Sequence, residues 1–278
     1  MGGLVVTSRF MHRLTVFLIC AGFFVNVSFA RSVSEPDHEI VPEWLVIKDL
    51  MFGEKNIRSG EGVISLYLNT KLDDVSTVPV MVNANLDQTE ERYIQAIYLV
   101  VDRNPIPTAG KFRFTPQSGR VKLETRLRFE KFSFVRAVAE LNTGELYMDQ
   151  RWVEVSGGCS APSGKNGDDP SFGKIRFRAD DRFYANQPNL VQVQIKHPNE
   201  SALASDLEPG RDARFIDKID IAFDDALVMS ADVNFSISDN PVFKFYFLPE
   251  TDGRLTVKAR DTHDTQFSHS IQVLTSHK

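Results

Sequence analysis

Val121-Lys122-Leu123-Glu124-Thr125-Arg126-Leu127-Arg128-Phe129 sets Val121, Leu123, Leu127 and Phe129 on one side of an extended chain and Lys122, Arg126 and Arg128 on the other. Successive side chains of a strand point to opposite faces, so this period of two predicts a β-strand with one buried face. Cations spaced in this way read as a solvated sheet face. A nucleic-acid-binding domain instead clusters its basic residues, and none of that clustering is seen, so a nucleic-acid partner is excluded.

The same period recurs on both sides of that stretch. Upstream it is carried by Ile64-Leu66-Leu68, Val78-Val80-Val82, Tyr98-Val100 with Leu99-Val101, and Phe112-Phe114; downstream come Val135-Ala137-Ala139 and Trp152-Val153-Val155. Turn formers at Arg103-Asn104-Pro105, Gln117-Ser118-Gly119 and Asn142-Thr143-Gly144 separate these runs. A second series follows at Ile175-Phe177, Val191-Val193-Ile195, Ile219-Ile221-Phe223, Phe235-Ile237, Phe243-Phe245-Phe247, Leu255-Val257-Ala259 and Ile271-Val273. Short strands at this spacing predict an all-β chain of two immunoglobulin-like β-sandwich domains. One helix is expected, over Pro42–Phe52, ending at Gly53. Lys196 to Arg214 has no strand period and reads as a long loop.

Between the two series lies Ser156-Gly157-Gly158-Cys159-Ser160-Ala161-Pro162-Ser163-Gly164-Lys165-Asn166-Gly167. Glycine opens backbone conformations closed to other residues, so Gly157 and Gly158, with Ser160, read as a flexible arm for Cys159. The organisation expected is a signal peptide over 1–30, a first sandwich over 31–156, the Gly-rich loop over 157–170 and a second sandwich over 171–278. About seven residues separate Cys159 from the strand ending near Trp152, which at roughly 3.3 Å each allows a reach of about 23 Å.

Residues 1–30 carry a basic start at Arg9 and Arg13, an apolar run from Leu14 to Val27, and small residues at Ser28 and Ala30. That is the pattern of a secretory signal peptide, and the run is shorter than the roughly 20 residues of a spanning helix. It predicts export to the periplasm, with no membrane attachment after cleavage. Cys20 would leave with the peptide, and Cys159 would remain alone. A lone cysteine in an oxidising compartment points to intermolecular pairing or a reactive thiol rather than a disulfide framework.

Composition excludes little more: 42% hydrophobic and 25% charged residues with a net charge of −5 describe an ordinary globular chain. A dithiol oxidoreductase needs Cys-x-x-Cys, which is absent. A cysteine hydrolase would need His197 or His263 brought to the sulfur, and a mobile glycine mount does not fix that geometry. His263 and His269 with Asp261 and Asp264 read as a polar turn rather than a metal site. The acidic pairs Asp73-Asp74, Asp168-Asp169, Asp180-Asp181 and Asp224-Asp225 lack the spacing of a calcium loop. No phosphate-cradling loop precedes a helix, so neither a catalytic role nor a cofactor is expected. An ordinary thiol has a pKa near 8.5 and is only about 3% thiolate at pH 7, so activation is expected inside partner enzymes.

Two sets of short motifs stand in order along the chain: Phe52-Gly53-Glu54-Lys55-Asn56-Ile57, Thr77-Val78-Pro79-Val80 and Gly157-Gly158-Cys159 in the first half, and His197-Pro198, Phe215-Ile216 and Ser238-Asp239-Asn240-Pro241 in the second. By these the chain resembles the SoxYZ sulfur carrier family with both subunits fused, the first set being similar to SoxY and the second to SoxZ. The SoxY arm normally ends the chain as Gly-Gly-Cys-Gly-Gly, whereas here Ser160-Ala161-Pro162 follows the cysteine and the chain continues. In this it looks like the fused carriers associated with quinoprotein dehydrogenases.

The resemblance implies a periplasmic carrier, itself no enzyme, that holds a substrate or sulfur intermediate covalently on Cys159. It would present that cargo to periplasmic redox enzymes, of the Sox type or a quinoprotein dehydrogenase. The alternative is a non-covalent docking or accessory subunit of a periplasmic quinoprotein dehydrogenase system, with no covalent role for the thiol.

Overall fold

The computed structural model describes residues 1–2, 41–68, 76–162, 169–210 and 212–276. The expected signal peptide therefore lies outside the described residues almost entirely, and every element below belongs to the unit Pro36–Lys278.

The first half runs α1 (Pro42–Phe52), β1 (Ile57–Ser59), β2 (Ile64–Leu68), β3 (Val78–Asp87), β4 (Ile94–Val101), β5 (Thr108–Phe114), β6 (Arg120–Leu127), β7 (Ser133–Leu141) and β8 (Leu146–Val153). The second runs β9 (Ile175–Ala179), β10 (Phe183–Tyr184), β11 (Asn189–Ile195), β12 (Ile216–Phe223), β13 (Ala226–Val233), β14 (Val242–Phe247), β15 (Gly253–Asp261), β16 (Gln266–Val273) and β17 (Thr275–Ser276). The all-β expectation holds, and so do the helix and its end. Pro42 opens α1 where its missing N–H costs nothing, and Gly53 closes it at φ 58° while donating to the Asp49 carbonyl at 2.9 Å.

Two layers cross from one half to the other. A nine-stranded sheet has the order β1-β8-β7-β4-β5-β13-β12-β15-β16, and a six-stranded sheet the order β2-β3-β6-β14-β11-β9. β10 and β17 form a small parallel pair. The halves meet where β5 and β13 pair antiparallel, Phe112 opposite Ala231, and where β6 meets β14, Glu124 opposite Lys244. Between the sheets one apolar core continues through both halves, and Phe112 meets Phe243 across the joint with ring centroids 6.1 Å apart. Alternate residues of β11 (Val191, Val193, Ile195) and β14 (Phe243, Phe245, Phe247) are fully buried, which is the period of two turned into packing.

Strand β7 departs from that alternation because both of its faces are covered. Its outward Phe134 and Val138 pack beneath Trp44, Ile47 and Phe52 of α1. Between them the Arg136 guanidinium stacks over Trp44 at 4.4 Å and pairs with the buried Asp102 carboxylate at 2.7 to 3.0 Å. Burying that charge is tolerable because the carboxylate and Gln150 satisfy it.

One sequence expectation fails here, and one strand carries no signal in the sequence. Phe235-Ile237 is no strand: Asn234 caps a turn by accepting the Ser236 N–H at 2.8 Å, and only Ile237 makes a bridge, to Leu127. β13 was concealed by its composition, since Ala226, Leu227 and Ser230 break the alternation that marks the other strands.

Candidate functional site

Beyond β8 the chain turns back onto the end of β6. The Gly157 N–H donates to the Glu130 carbonyl at 3.0 Å and the Gly158 N–H to the Phe129 carbonyl at 2.9 Å. Gly157 takes φ 81°, a left-handed conformation that an L side chain adopts only with strain. Ser160 then meets the Glu130 carboxylate, from its hydroxyl at 2.7 Å and its backbone N–H at 3.2 Å. Its own carbonyl accepts the Ser205 N–H at 3.2 Å, which brings in the long loop of the second half. The four residues predicted as site and arm, Gly157, Gly158, Cys159 and Ser160, thus form one turn, fastened on both sides.

Cys159 is the free cysteine among the described residues, and it is fully buried at 0% exposure. This corrects the expectation of a thiol carried freely on a flexible arm. The arm's small residues offer little apolar surface of their own, and the turn is seated against the chain that follows β6, where Arg128 and Glu130 act on the thiol. Burial, with the Glu130 carboxylate nearby, pushes the thiol up to about 12, against a smaller downward pull from Arg128. A thiol so held is neutral at pH 7, with a thiolate fraction on the order of 1 in 100,000. In this conformation it is not a nucleophile.

Arg128 corrects a second reading. Taken in the sequence as part of a solvated face, it is 5% exposed, because the chain past β6 leaves the sheet surface and enters the seam between the halves. Its Nη1 donates to the carbonyls of Asn199 at 2.7 Å, Phe235 at 2.9 Å and Ile237 at 2.9 Å, all in the second half. Asn104 completes the seat: its side-chain amide donates to the Arg128 carbonyl at 2.9 Å and to the Ser236 hydroxyl at 3.1 Å, while its oxygen accepts the Glu130 N–H at 2.9 Å. Alternation alone could not single out Arg128, Glu130 or Asn104. The one available signal was that a charged residue here directly precedes Phe129 at the end of a strand.

The long loop is pinned from within. Asn199 donates from its side chain to the Ile237 carbonyl at 2.6 Å and accepts the Ile216 N–H at 2.8 Å. The His197 Nδ1 accepts the Asn199 N–H at 2.9 Å, so its Nε2 carries the proton and faces Asp261 at 3.4 Å. Burial lowers the His197 pKa to about 4, against the opposing Asp261 carboxylate. Arg214 holds the same carboxylate at 2.7 Å. With both ring nitrogens engaged, His197 is a structural residue here and no base for the cysteine. Asp261 also accepts the N–H groups of His263 and Thr265 at 2.9 Å each, so Asp261, His263 and Asp264 form the predicted turn, whereas His269 lies in β16 opposite Val257. Of the two cations nearest to Cys159 in sequence, Arg151 pairs with Asp149 at 2.6 Å and Lys165 lies outside the described residues.

Residues 48–159 match the family described as sulfur oxidation protein SoxY, and residues 178–272 the family described as sulphur oxidation protein SoxZ. Among solved structures, the sulfur carrier protein SoxY from Chlorobium limicola f thiosulfatophilum is similar at 21% identity, over 41% of this chain and 91% of that one, with a TM-score of 0.33. A superoxide reductase (neelaredoxin) from Ignicoccus hospitalis is similar at 16% identity, over 41% and 88%, with a TM-score of 0.32. No curated protein matches the chain. A SoxY domain that ends at the buried cysteine is followed in the same polypeptide by a SoxZ domain, and the chain belongs to the SoxYZ-like proteins in which the two are fused.

Proposed function

We propose that this protein is a sulfur carrier whose attachment atom is the Cys159 Sγ and whose resting state keeps that atom covered. The observation that carries the reading is that the SoxY match runs to Cys159 itself, the free cysteine among the described residues. Loading requires the turn at 157–160 to leave its seat, so that the thiol regains water and its ordinary acidity. Joining the thiol to a second thiol sulfur removes two electrons and two protons, and a partner redox enzyme of the Sox type or a quinoprotein dehydrogenase takes up the electrons. The protein itself supplies attachment and presentation rather than catalysis. Export to the periplasm rests on the pattern of residues 1–30.

A second reading is a non-covalent accessory subunit of a quinoprotein dehydrogenase system. The complete burial of Cys159 favours it. Intact-mass measurement of protein isolated from its native compartment, beside a Cys159→Ala variant, separates the two. A mass adduct confined to Cys159 supports the carrier. An unmodified thiol together with full physiological activity of the variant overturns it in favour of the accessory subunit.

A further inference from the structure

The outer face of the six-stranded sheet carries an uneven charge that the carrier chemistry does not use. One cross-strand row runs Tyr67, Met81, Glu124, Lys244, Gln192 and Arg178, each directly opposite the next. Arg176 lies two residues from Arg178 on the same side of β9, and β6 adds Arg120, Lys122 and Arg126. On these strands six cations thus face Glu124 and, at the corner opposite Arg120, Asp87, while at the β9 edge Arg176 shares a hollow with Asp169, whose carboxylate pairs with Lys196 at 3.5 Å. Glu124 is already shared by Lys122 at 2.7 Å and Lys244 at 3.4 Å. The whole chain, by contrast, has 32 Lys and Arg against 37 Asp and Glu.

The other sheet shows what a balanced face looks like. There Arg58, Arg113 and Arg260 each meet a carboxylate of their own, Glu145 at 2.7 Å, Asp232 at 2.6 Å and Asp217 at 2.6 Å. Beside the basic row an open groove of about 560 Å³ is lined by Tyr67, Pro79, Met81, Arg126 and Val242 among others. Aromatic, methionine and arginine side chains around an apolar floor have the make-up of a protein-binding centre, and unbalanced cations around it select a partner of opposite sign.

We propose that this face is a docking surface for a protein partner with an acidic surface around an apolar anchor, the anchor seating between Tyr67, Met81 and Val242. The position fits the carrier reading, on which this part of the inference rests. Arg126 on the face and Glu130 in the cysteine seat lie four residues apart in the chain, at most about 13 Å at 3.3 Å per residue. A partner held there stands beside the place where the arm is released.

The test uses three probes on the full chain: a fluorescent poly-L-glutamate of about 20 residues, the same peptide with a central Leu-Phe pair, and a duplex DNA of equal charge. Anisotropy at low salt is expected to show binding of both peptides, the Leu-Phe peptide about fivefold tighter. An Arg176→Glu/Arg178→Glu/Lys244→Glu variant should lose at least tenfold, and Tyr67→Ser/Met81→Ser should lose only the Leu-Phe advantage. An Arg113→Glu/Arg260→Glu variant on the other sheet should bind like the parent. Circular dichroism checks that each variant is folded. Equal loss in both charge-reversed variants, no gain from Leu-Phe, or tighter binding of DNA would overturn the proposal. None of these substitutions touches the cysteine seat, so Cys159 mass and alkylation stay at parental values, and failure here leaves the carrier reading standing.

Discussion

The Glu130 carboxylate fastens Ser160 twice, accepting from its hydroxyl at 2.7 Å and from its backbone N–H at 3.2 Å. It thereby holds the residue next to a fully buried thiol. A covered thiol reacts through its open population, so its alkylation rate reports the opening equilibrium. A hydrogen bond to a charged group contributes about 1.5–3 kcal/mol. Ser160→Ala should therefore raise the rate of Cys159 alkylation by iodoacetamide roughly tenfold, and Glu130→Ala by roughly ten- to a hundredfold. Mass spectrometry under native conditions reads both, and parental rates in both variants would remove the clasp from the account.

Burial and Glu130 hold the Cys159 thiol up at about 12, well above an ordinary thiol. A raised pKa favours the native state while the group is protonated. The contribution is complete below about pH 9 and is lost as pH rises toward 12, because the unfolded chain ionises first. The unfolding free energy from urea titrations should fall between about pH 9 and pH 11 by up to ~1.4 kcal/mol per pH unit, a slope that Cys159→Ala lacks. Parallel curves for the two proteins would mean that the thiol is hydrated in solution.

His197 acts at the other end of the scale, with its pKa lowered from 6.5 to about 4 by burial. The unfolded chain takes up this proton first as the solution is acidified. Stability from His197 is therefore complete above about pH 6.5 and declines as pH falls toward 4. His197→Gln should flatten the acid limb of the stability curve over that window, with the carboxylates common to both proteins. An unchanged limb would contradict the burial of the imidazole.

Arg128 ties the two halves through three carbonyls. Arg128→Met strands those acceptors and removes a charge-assisted contact, at a cost of about 3 kcal/mol. For a chain of this size that corresponds to roughly 6–12 °C in Tm. The same variant should alkylate faster at Cys159, because Asn199 and the turn at 234–237 lose their anchor. Calorimetry showing a shift under about 2 °C would refute the tie.

Most of the fold was legible because burial on one face writes itself as alternation: β2, β3, β11 and β14 were read from Val, Leu, Ile and Phe at every second place. β1, β10 and β17 escaped because two or three residues cannot display a period. The site was legible only in part. Gly157 and Cys159 stand out by residue type, but exposure is a tertiary property, and the groups that build the seat lie about 30 to 55 positions away, at Asn104, Arg128–Glu130 and Asn199–Ser205. The small residues around Cys159 were read as a sign of freedom, yet they are also what lets the arm lie flat against Phe129 and Glu130.

The pairing of β5 with β13 and of β6 with β14 makes the cysteine seat a composite, with walls from both halves of one chain. In an assembly of two separate chains such a seat would dissolve on dilution, and its guard over the sulfur would depend on protein concentration. Here it is unimolecular: the ratio of hidden to presented sulfur is an intrinsic constant of the molecule, the same in a scarce protein as in an abundant one.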